Sequence, residues 1–186
     1  MKKFVVLFAA FVLLTANQVF AYKATDFSND SKIVAAINLL EQAGETDVMA
    51  RLQKHAIRIS FDDLSSVTMN SSKAYAVSTY NRYGSRVIMI NSIYKDAPVE
   101  QIACLIAHES CHVKRVADLE EETIATQKEA ATWIRLKNES KVYPDSRLTK
   151  RLDKLGGLYL ASTNGNNLVE QKIASSSFYR AQLGLN

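Results

Sequence analysis

Residues 99–113, VEQIACLIAHESCHV, decide how the middle of this chain folds. Apolar residues recur here every three or four positions, which is the spacing of one face of an α-helix. That face consists of Val99, Ile102, Ile106 and Val113. Asp96 precedes the stretch and can cap a helix. We therefore predict a helix from about Asp96 to Lys114, with this face buried and His108 and His112 on the opposite side.

The predicted helix carries the motif His-Glu-x-x-His at residues 108–112. Because residues i and i+4 lie on the same helical face, His108 and His112 can bind one metal ion. Glu109 is turned by about 100° from His108, so it can reach a metal-bound water and accept its proton during attack on a carbonyl. The alternative interpretation is a pair of surface histidines on an ordinary helix.

A catalytic zinc usually has three protein ligands and a water, so the motif requires a third ligand. The remaining histidine, His55, precedes the first predicted strand and lies outside any ligand spacing. A second helix, predicted from Asp118 to about Leu136, carries four glutamates, Glu120, Glu121, Glu122 and Glu129.

Helix register favours one of these glutamates. The short connection between the two helices indicates antiparallel packing, which places Glu122 at the height of the histidines. The small side chain of Ala125 lets the helices approach each other there, and Glu129 lies about 10 Å further along. We predict Glu122 as the third ligand, with Glu129 as the alternative. A solvated helix face is the other interpretation of either glutamate.

The sequence 108–112, followed by Glu122-Thr123-Ile124-Ala125, resembles the gluzincins, zinc metallopeptidases with HExxH and a downstream ExxA. Its compact size is similar to that of the minigluzincins, and the resemblance covers about residues 57–136. It implies a zincin-like fold, in which a small sheet lies above the active-site helix and its edge strand, here residues 86–90, holds an extended substrate. Many gluzincins have Asp or Asn after the ExxA alanine, where this chain has Thr126.

The rest of the chain predicts an α+β domain with a sheet of about three strands. Helices are expected before the sheet and again after residue 96. The expected elements are helices at 31–43, with Ser31 as the N-cap, and 46–54, a strand at 57–61, a hairpin at 74–80 and 86–90, and helices after residues 145 and 166.

Residues 1–21 have the layout of a secretory signal peptide, with a basic start, an apolar run at 4–14 and small residues before a cleavage site after Ala21. Polar residues shorten the apolar core to about 11 residues, whereas a membrane span needs about 20. We predict a single domain at 22–186, without a stable membrane anchor after cleavage. The leader looks bacterial, so we expect a periplasmic or secreted protein.

Charge and cysteine usage exclude other classes. Without Lys2 and Lys3 the chain has 21 basic and 19 acidic residues, which gives no support for a nucleic-acid partner. Cys104 and Cys111 would lie about 10.5 Å apart on a helix, too far for a disulfide, so we predict free thiols. The region after Trp133 is made basic by Lys141, Arg147, Lys150, Arg151 and Lys154. We interpret them as a solvated helix face, or else as a surface for acidic partners or anionic envelope polymers.

These observations predict a zinc-dependent metallopeptidase that hydrolyses peptide bonds of a peptide or protein substrate with a zinc-activated water outside the cytoplasm. One alternative is a cell-wall peptide amidase that uses the same site. Another is a non-catalytic envelope interaction module. Peptide hydrolysis also needs a group that stabilises the oxyanion, for which the sequence offers Tyr83, Tyr94, Tyr143 and Tyr159.

Overall fold

A computed structural model describes residues 22–66, 74–163 and 165–185 of the chain. The predicted signal peptide at 1–21 lies outside the described residues. The described residues form seven α-helices and one three-stranded sheet, which confirms the predicted α+β class. None of their helices is long and apolar enough to span a bilayer.

The N-terminal half contains two helices and the sheet. Asp30, rather than the predicted Ser31, caps the first helix, because its carboxylate accepts hydrogen bonds from the backbone N–H groups of Lys32 and Ile33. Gly44, with a positive φ of 72°, follows the end of that helix. The elements are α1 (Ser31–Gln42), α2 (Thr46–Lys54), β1 (Arg58–Asp62), β2 (Ala76–Tyr80) and β3 (Arg86–Asn91).

The sheet has the order β1-β3-β2. Strand β3 is parallel to β1 and antiparallel to β2, so that Ile88 lies opposite both Ile59 and Ser78. The predicted hairpin is therefore confirmed, but the expectation that residues 86–90 form an edge strand is wrong. Strand β3 is central because its side chains Ile88 and Ile90 are fully buried, whereas β2 carries polar residues that tolerate the edge.

The C-terminal half is helical. Its helices are α3 (Val99–Ser110), α4 (Leu119–Leu136), α5 (Arg147–Ala161), α6 (Leu168–Ala174) and α7 (Ser177–Leu183). Asp118 caps α4, since its side chain accepts the N–H of Glu121. The Glu121 side chain does not complete a capping box. It accepts the backbone N–H groups of Val113 and Lys114 at 2.7 and 3.0 Å instead.

Helix α3 lies in the middle of the molecule, packed against α1, α4 and the sheet. Every residue from Gln101 to Cys111 is buried, so the histidine side of the helix is covered as well and borders a cleft rather than open solvent. The helix also ends at Ser110 instead of Lys114, and Val113 is 51% exposed. The guanidinium of Arg86 donates to the carbonyl oxygens of Glu109 and Ser110 at this end. Cationic groups stabilise a helix C-terminus.

The core lies between α1, α3 and the sheet. Its fully buried aliphatic side chains include Ile33, Ile37, Leu40, Ile88, Ile90, Ile102 and Ile106. Cys104 belongs to the same core, and both cysteines are free thiols as predicted. The buried Trp133 joins α4 to α5, because its indole N–H donates to Asp153 at 2.9 Å. This packing fixes α3 and α4 side by side, which places the candidate site.

Candidate metal centre

The two histidines stay on one side of the chain although the regular helix ends between them. The N–H of His112 donates to the carbonyl oxygen of Glu109 at 3.3 Å, so the last turn tightens to an i to i−3 bond. The centroids of the His108 and His112 rings lie 5.1 Å apart. Both rings can therefore face the same point in space.

Glu122 of α4 faces both rings. Its Oε2 lies 3.8 Å from His108 Nε2, and its Oε1 lies 3.7 Å from His112 Nε2. One ligand atom from each of the three residues lies within 4.8 Å of the other two. Two donors bound tetrahedrally to one zinc at about 2.0–2.1 Å would be about 3.3 Å apart. His108, His112 and Glu122 thus form a buried group that could hold a metal ion.

The opposite ring nitrogens face two other carboxylates of α4. Glu129 Oε2 lies 3.0 Å from His108 Nδ1, and Glu121 Oε2 lies 3.6 Å from His112 Nδ1. Carboxylates in this position orient metal-binding imidazoles and fix which nitrogen is free for the ion. Glu129, the alternative third ligand, therefore lies behind His108 and forms an ion pair with Arg151.

The charge of the buried cluster fits a divalent cation. Four carboxyl groups are buried around the rings, those of Glu109, Glu121, Glu122 and Glu129. Among the described residues, two guanidinium groups lie near these carboxyl groups, Arg151 against Glu129 and Arg86 near Glu109 and Glu121. Moreover, Glu122 Oε2 is buried without a hydrogen-bond partner. An uncompensated anion in the interior is costly, and a bound cation would offset that cost.

The same charges shift the pKa values of the histidines in opposite directions. Burial disfavours the imidazolium of His108, but Glu129, Glu109 and Glu122 outweigh burial and raise its pKa to about 8. Burial and the neighbouring His108 lower the pKa of His112 to about 4, although Glu121 opposes them. A proton on His108 thus supplies part of the positive charge that a bound cation would supply.

The pKa values of the carboxyl groups also shift in different directions. Burial, reinforced by Glu122 and Glu129, raises the pKa of Glu109 to about 7. Burial also raises the pKa of Glu122 above its ordinary value. For Glu129 burial acts in the same direction, but the Arg151 guanidinium and His108 overcome it and hold the pKa below its usual range. Glu129 is therefore the carboxylate that already has its counter-ion.

A cleft of about 830 Å³ opens at this cluster. His108, Glu109, His112 and Glu122 line it together with strand β2 and parts of α5, α6 and α7. Strand β2 is at the edge of the sheet, and the described residues leave part of its backbone without a partner. The N–H of Asn91 donates to the Tyr75 carbonyl, so alternation along an antiparallel pair turns the backbone groups of Ala76, Ser78 and Tyr80 toward the free edge.

Tyr179 of α7 also lines the cleft, and sequence reasoning missed it. Burial raises the pKa of its hydroxyl, the nearby Arg151 guanidinium opposes this shift, and the charges of Glu122 and Glu129 add to it. None of the four tyrosines named from the sequence lines the cleft. Tyr179 lies far from the motif along the chain, and only the return of α7 to the site brings it there. His55, at the end of α2, is no part of the cluster.

The chain matches no protein-family model, no curated protein sequence and no solved structure. The likeness to gluzincins stays a prediction from the two motifs at 108–112 and 122–125. The site is therefore interpreted from its own geometry and charge.

Proposed function

We propose that this chain is a gluzincin-like, zinc-dependent metallopeptidase that hydrolyses peptide bonds outside the cytoplasm. His108, His112 and Glu122 hold the zinc, and Glu109 is the general base. The observation that carries the proposal is the convergence of two Nε2 atoms, from the end of α3 and the turn after it, with one carboxylate of α4 in a cleft.

The donor set supports zinc as the metal. Two imidazoles and one carboxylate are a common ligand set of catalytic zinc, which keeps a fourth position open. When bound, zinc lowers the pKa of a coordinated water and polarises a substrate carbonyl. The carboxylates behind the two rings support such a site, because they lie 3.0 and 3.6 Å from the Nδ1 atoms while the Nε2 atoms face Glu122.

Glu109 has the position of a base rather than of a ligand. It lines the cleft next to His108, and it does not belong to the group whose atoms converge. Its carboxylate accepts a proton from the attacking water and passes it to the leaving amine. Arg86 holds the backbone at Glu109 through its carbonyl oxygen, which limits movement of this residue.

Strand β2 supports a peptide as the substrate. An extended peptide can pair with the outward backbone groups of Ala76 and Ser78 and so lie along the cleft. Tyr179 is then the cleft tyrosine that donates a hydrogen bond to the carbonyl oxygen as negative charge develops there. Both roles belong to the proposal and have separate tests.

The decisive experiment compares Glu109→Gln with the wild type for zinc content and for cleavage of a library of synthetic ten-residue peptides, read by mass spectrometry. We expect both proteins to contain one zinc per chain, and the variant to lose about 10²–10⁴-fold in activity. Glu120→Gln, an exposed position on α4, is the matched control and should keep full activity. A wild type that takes up zinc but cleaves none of the peptides would point to a structural metal site.

A further inference from the structure

We infer, on the basis of the proposed function, that the cleft selects peptides with acidic side chains at both ends of the segment that lies along β2. The charges that line the cleft carry this inference. Six cationic side chains line it, Lys114, Arg115, Arg147, Arg151, Lys154 and Lys172, against three carboxylates. All three carboxylates, Glu109, Glu122 and Glu129, belong to the metal centre.

Four of the six cations have no counter-ion. Lys114 pairs with Asp118 and Arg151 with Glu129. Within the part of the chain that the structure describes, no ion pair involves the other four, Arg115, Arg147, Lys154 and Lys172. Cations gathered in a concave surface attract anions more strongly than the same charges spread over a convex one. Bound zinc would add to this positive potential.

Helix α5 turns one basic stripe into the cleft. Arg147, Arg151 and Lys154 follow the i, i+4, i+7 spacing of a single face, and all three line the cleft. Lys150 lies on the same helix but outside the lining, where it pairs with Asp145. The basic residues after Trp133 therefore separate into those that face the cleft and those that face solvent.

The cations flank both ends of β2. The guanidinium carbons of Arg147 and Arg151 lie 5.1 and 4.8 Å from the ring centroid of Tyr75, and that of Arg115 lies 5.6 Å from the ring of Tyr80. Tyr75 and Tyr80 are five residue steps apart along extended chain, a span of about 16 Å. A bound peptide of about this length would place its two ends near the cations.

The presence of both charges in the cleft favours a peptide over a continuous polyanion. Glu109 and Glu122 line the same cleft as the cations, and a phosphate or sulfate polymer that passed close to them would be repelled there. A peptide can carry neutral residues there and acidic ones at the ends. Only a peptide, moreover, can use the outward N–H and C=O groups of β2.

The test measures binding with the full, zinc-loaded chain in the Glu109→Gln form, so that no peptide is consumed. Fluorescein-labelled hexapeptides with Asp or Glu near both ends are compared with Asn and Gln versions by fluorescence anisotropy. The paired substitution Arg147→Gln and Lys154→Gln is made in that background. Lys150→Gln is the matched control, because it removes a charge from the same helix outside the cleft.

We expect the acidic peptides to bind about tenfold more tightly than the amide versions, and the paired substitution to remove most of that difference. Lys150→Gln should leave it intact. Equal affinities for the acidic and amide peptides would overturn the inference. So would a Lys150→Gln variant that loses as much of the affinity difference as the paired substitution does. Tight binding of polyphosphate, lost with the pair, would overturn it too if the acidic peptides did not bind.

A parallel cleavage assay with the wild type separates this inference from the proposed function. Selective binding of acidic peptides without any cleavage would remove the peptidase proposal and leave the selectivity in place. Cleavage of acidic and amide peptides with the same kcat/KM would do the reverse, since the activity would stand and the selectivity would fail.

Discussion

Glu121 and Glu122 are adjacent in the chain, yet the structure gives them different positions at the site. Glu122 faces the Nε2 atoms of both histidines, whereas Glu121 lies 3.6 Å from His112 Nδ1 and accepts two backbone N–H groups. We expect Glu122→Gln to lower zinc affinity more than 100-fold and Glu121→Gln only about tenfold, since the second change disturbs the orientation of one ligand. Competition with a chromophoric chelator measures the zinc affinity of both variants. A larger loss of affinity for Glu121→Gln would mean that Glu121, and not Glu122, is the ligand.

Tyr179 offers a second residue-level distinction, between catalysis and metal binding. Loss of its hydroxyl should lower kcat by about 100-fold, as for other oxyanion donors, while zinc content and KM change little. Tyr159→Phe, which lies outside the cleft lining on α5, should leave kcat unchanged. An unchanged kcat in Tyr179→Phe would remove this residue from the reaction and leave it as a packing side chain of the cleft wall.

The junction between β3 and α3 is the element-level feature on which the site depends. The Arg86 side chain is buried, with its Nε 3.1 Å from Ser78 Oγ and its Nη2 3.1 Å from the Glu109 carbonyl oxygen. Arg86→Met should lower the free energy of unfolding by about 2–3 kcal/mol, because charge-assisted bonds to buried acceptors are lost. Urea unfolding measures this, and Arg82→Met in the exposed turn is the control. Equal stability of the two variants would contradict the role of Arg86.

Sequence periodicity predicted the helices, but it could not predict the strand order or which distant side chains reach the site. The i, i+4 spacing and the short connection after α3 were local signals, and they sufficed to bring Glu122 to the histidines. The order of the strands was not a local signal, since β3 became central only by pairing with the distant β1. The same holds for Arg151, 22 residues from Glu129, and for Tyr179 on α7. Side chains that reach the site from distant elements leave no spacing pattern.

At the scale of the whole molecule, the metal centre joins the two helices around which the rest packs. Helix α3, the turn that follows it and helix α4 supply all three candidate ligands and both supporting carboxylates. The buried carboxyl groups outnumber the guanidinium groups among them. A cation bound here would therefore stabilise the folded chain as a whole, because the unfolded chain has no preformed site.

Thermal unfolding with and without zinc measures that coupling. At a free zinc concentration about 1,000-fold above the Kd, binding adds about 4 kcal/mol to the stability of the folded state, so Tm should rise by about 10 °C for a chain of this size. A chelator should reverse the rise. Glu122→Gln should show a much smaller zinc-dependent shift, and Glu120→Gln the full one, because only the first change removes a ligand. A Tm that zinc leaves unchanged in the wild type would mean that the three residues do not hold the ion in the folded protein.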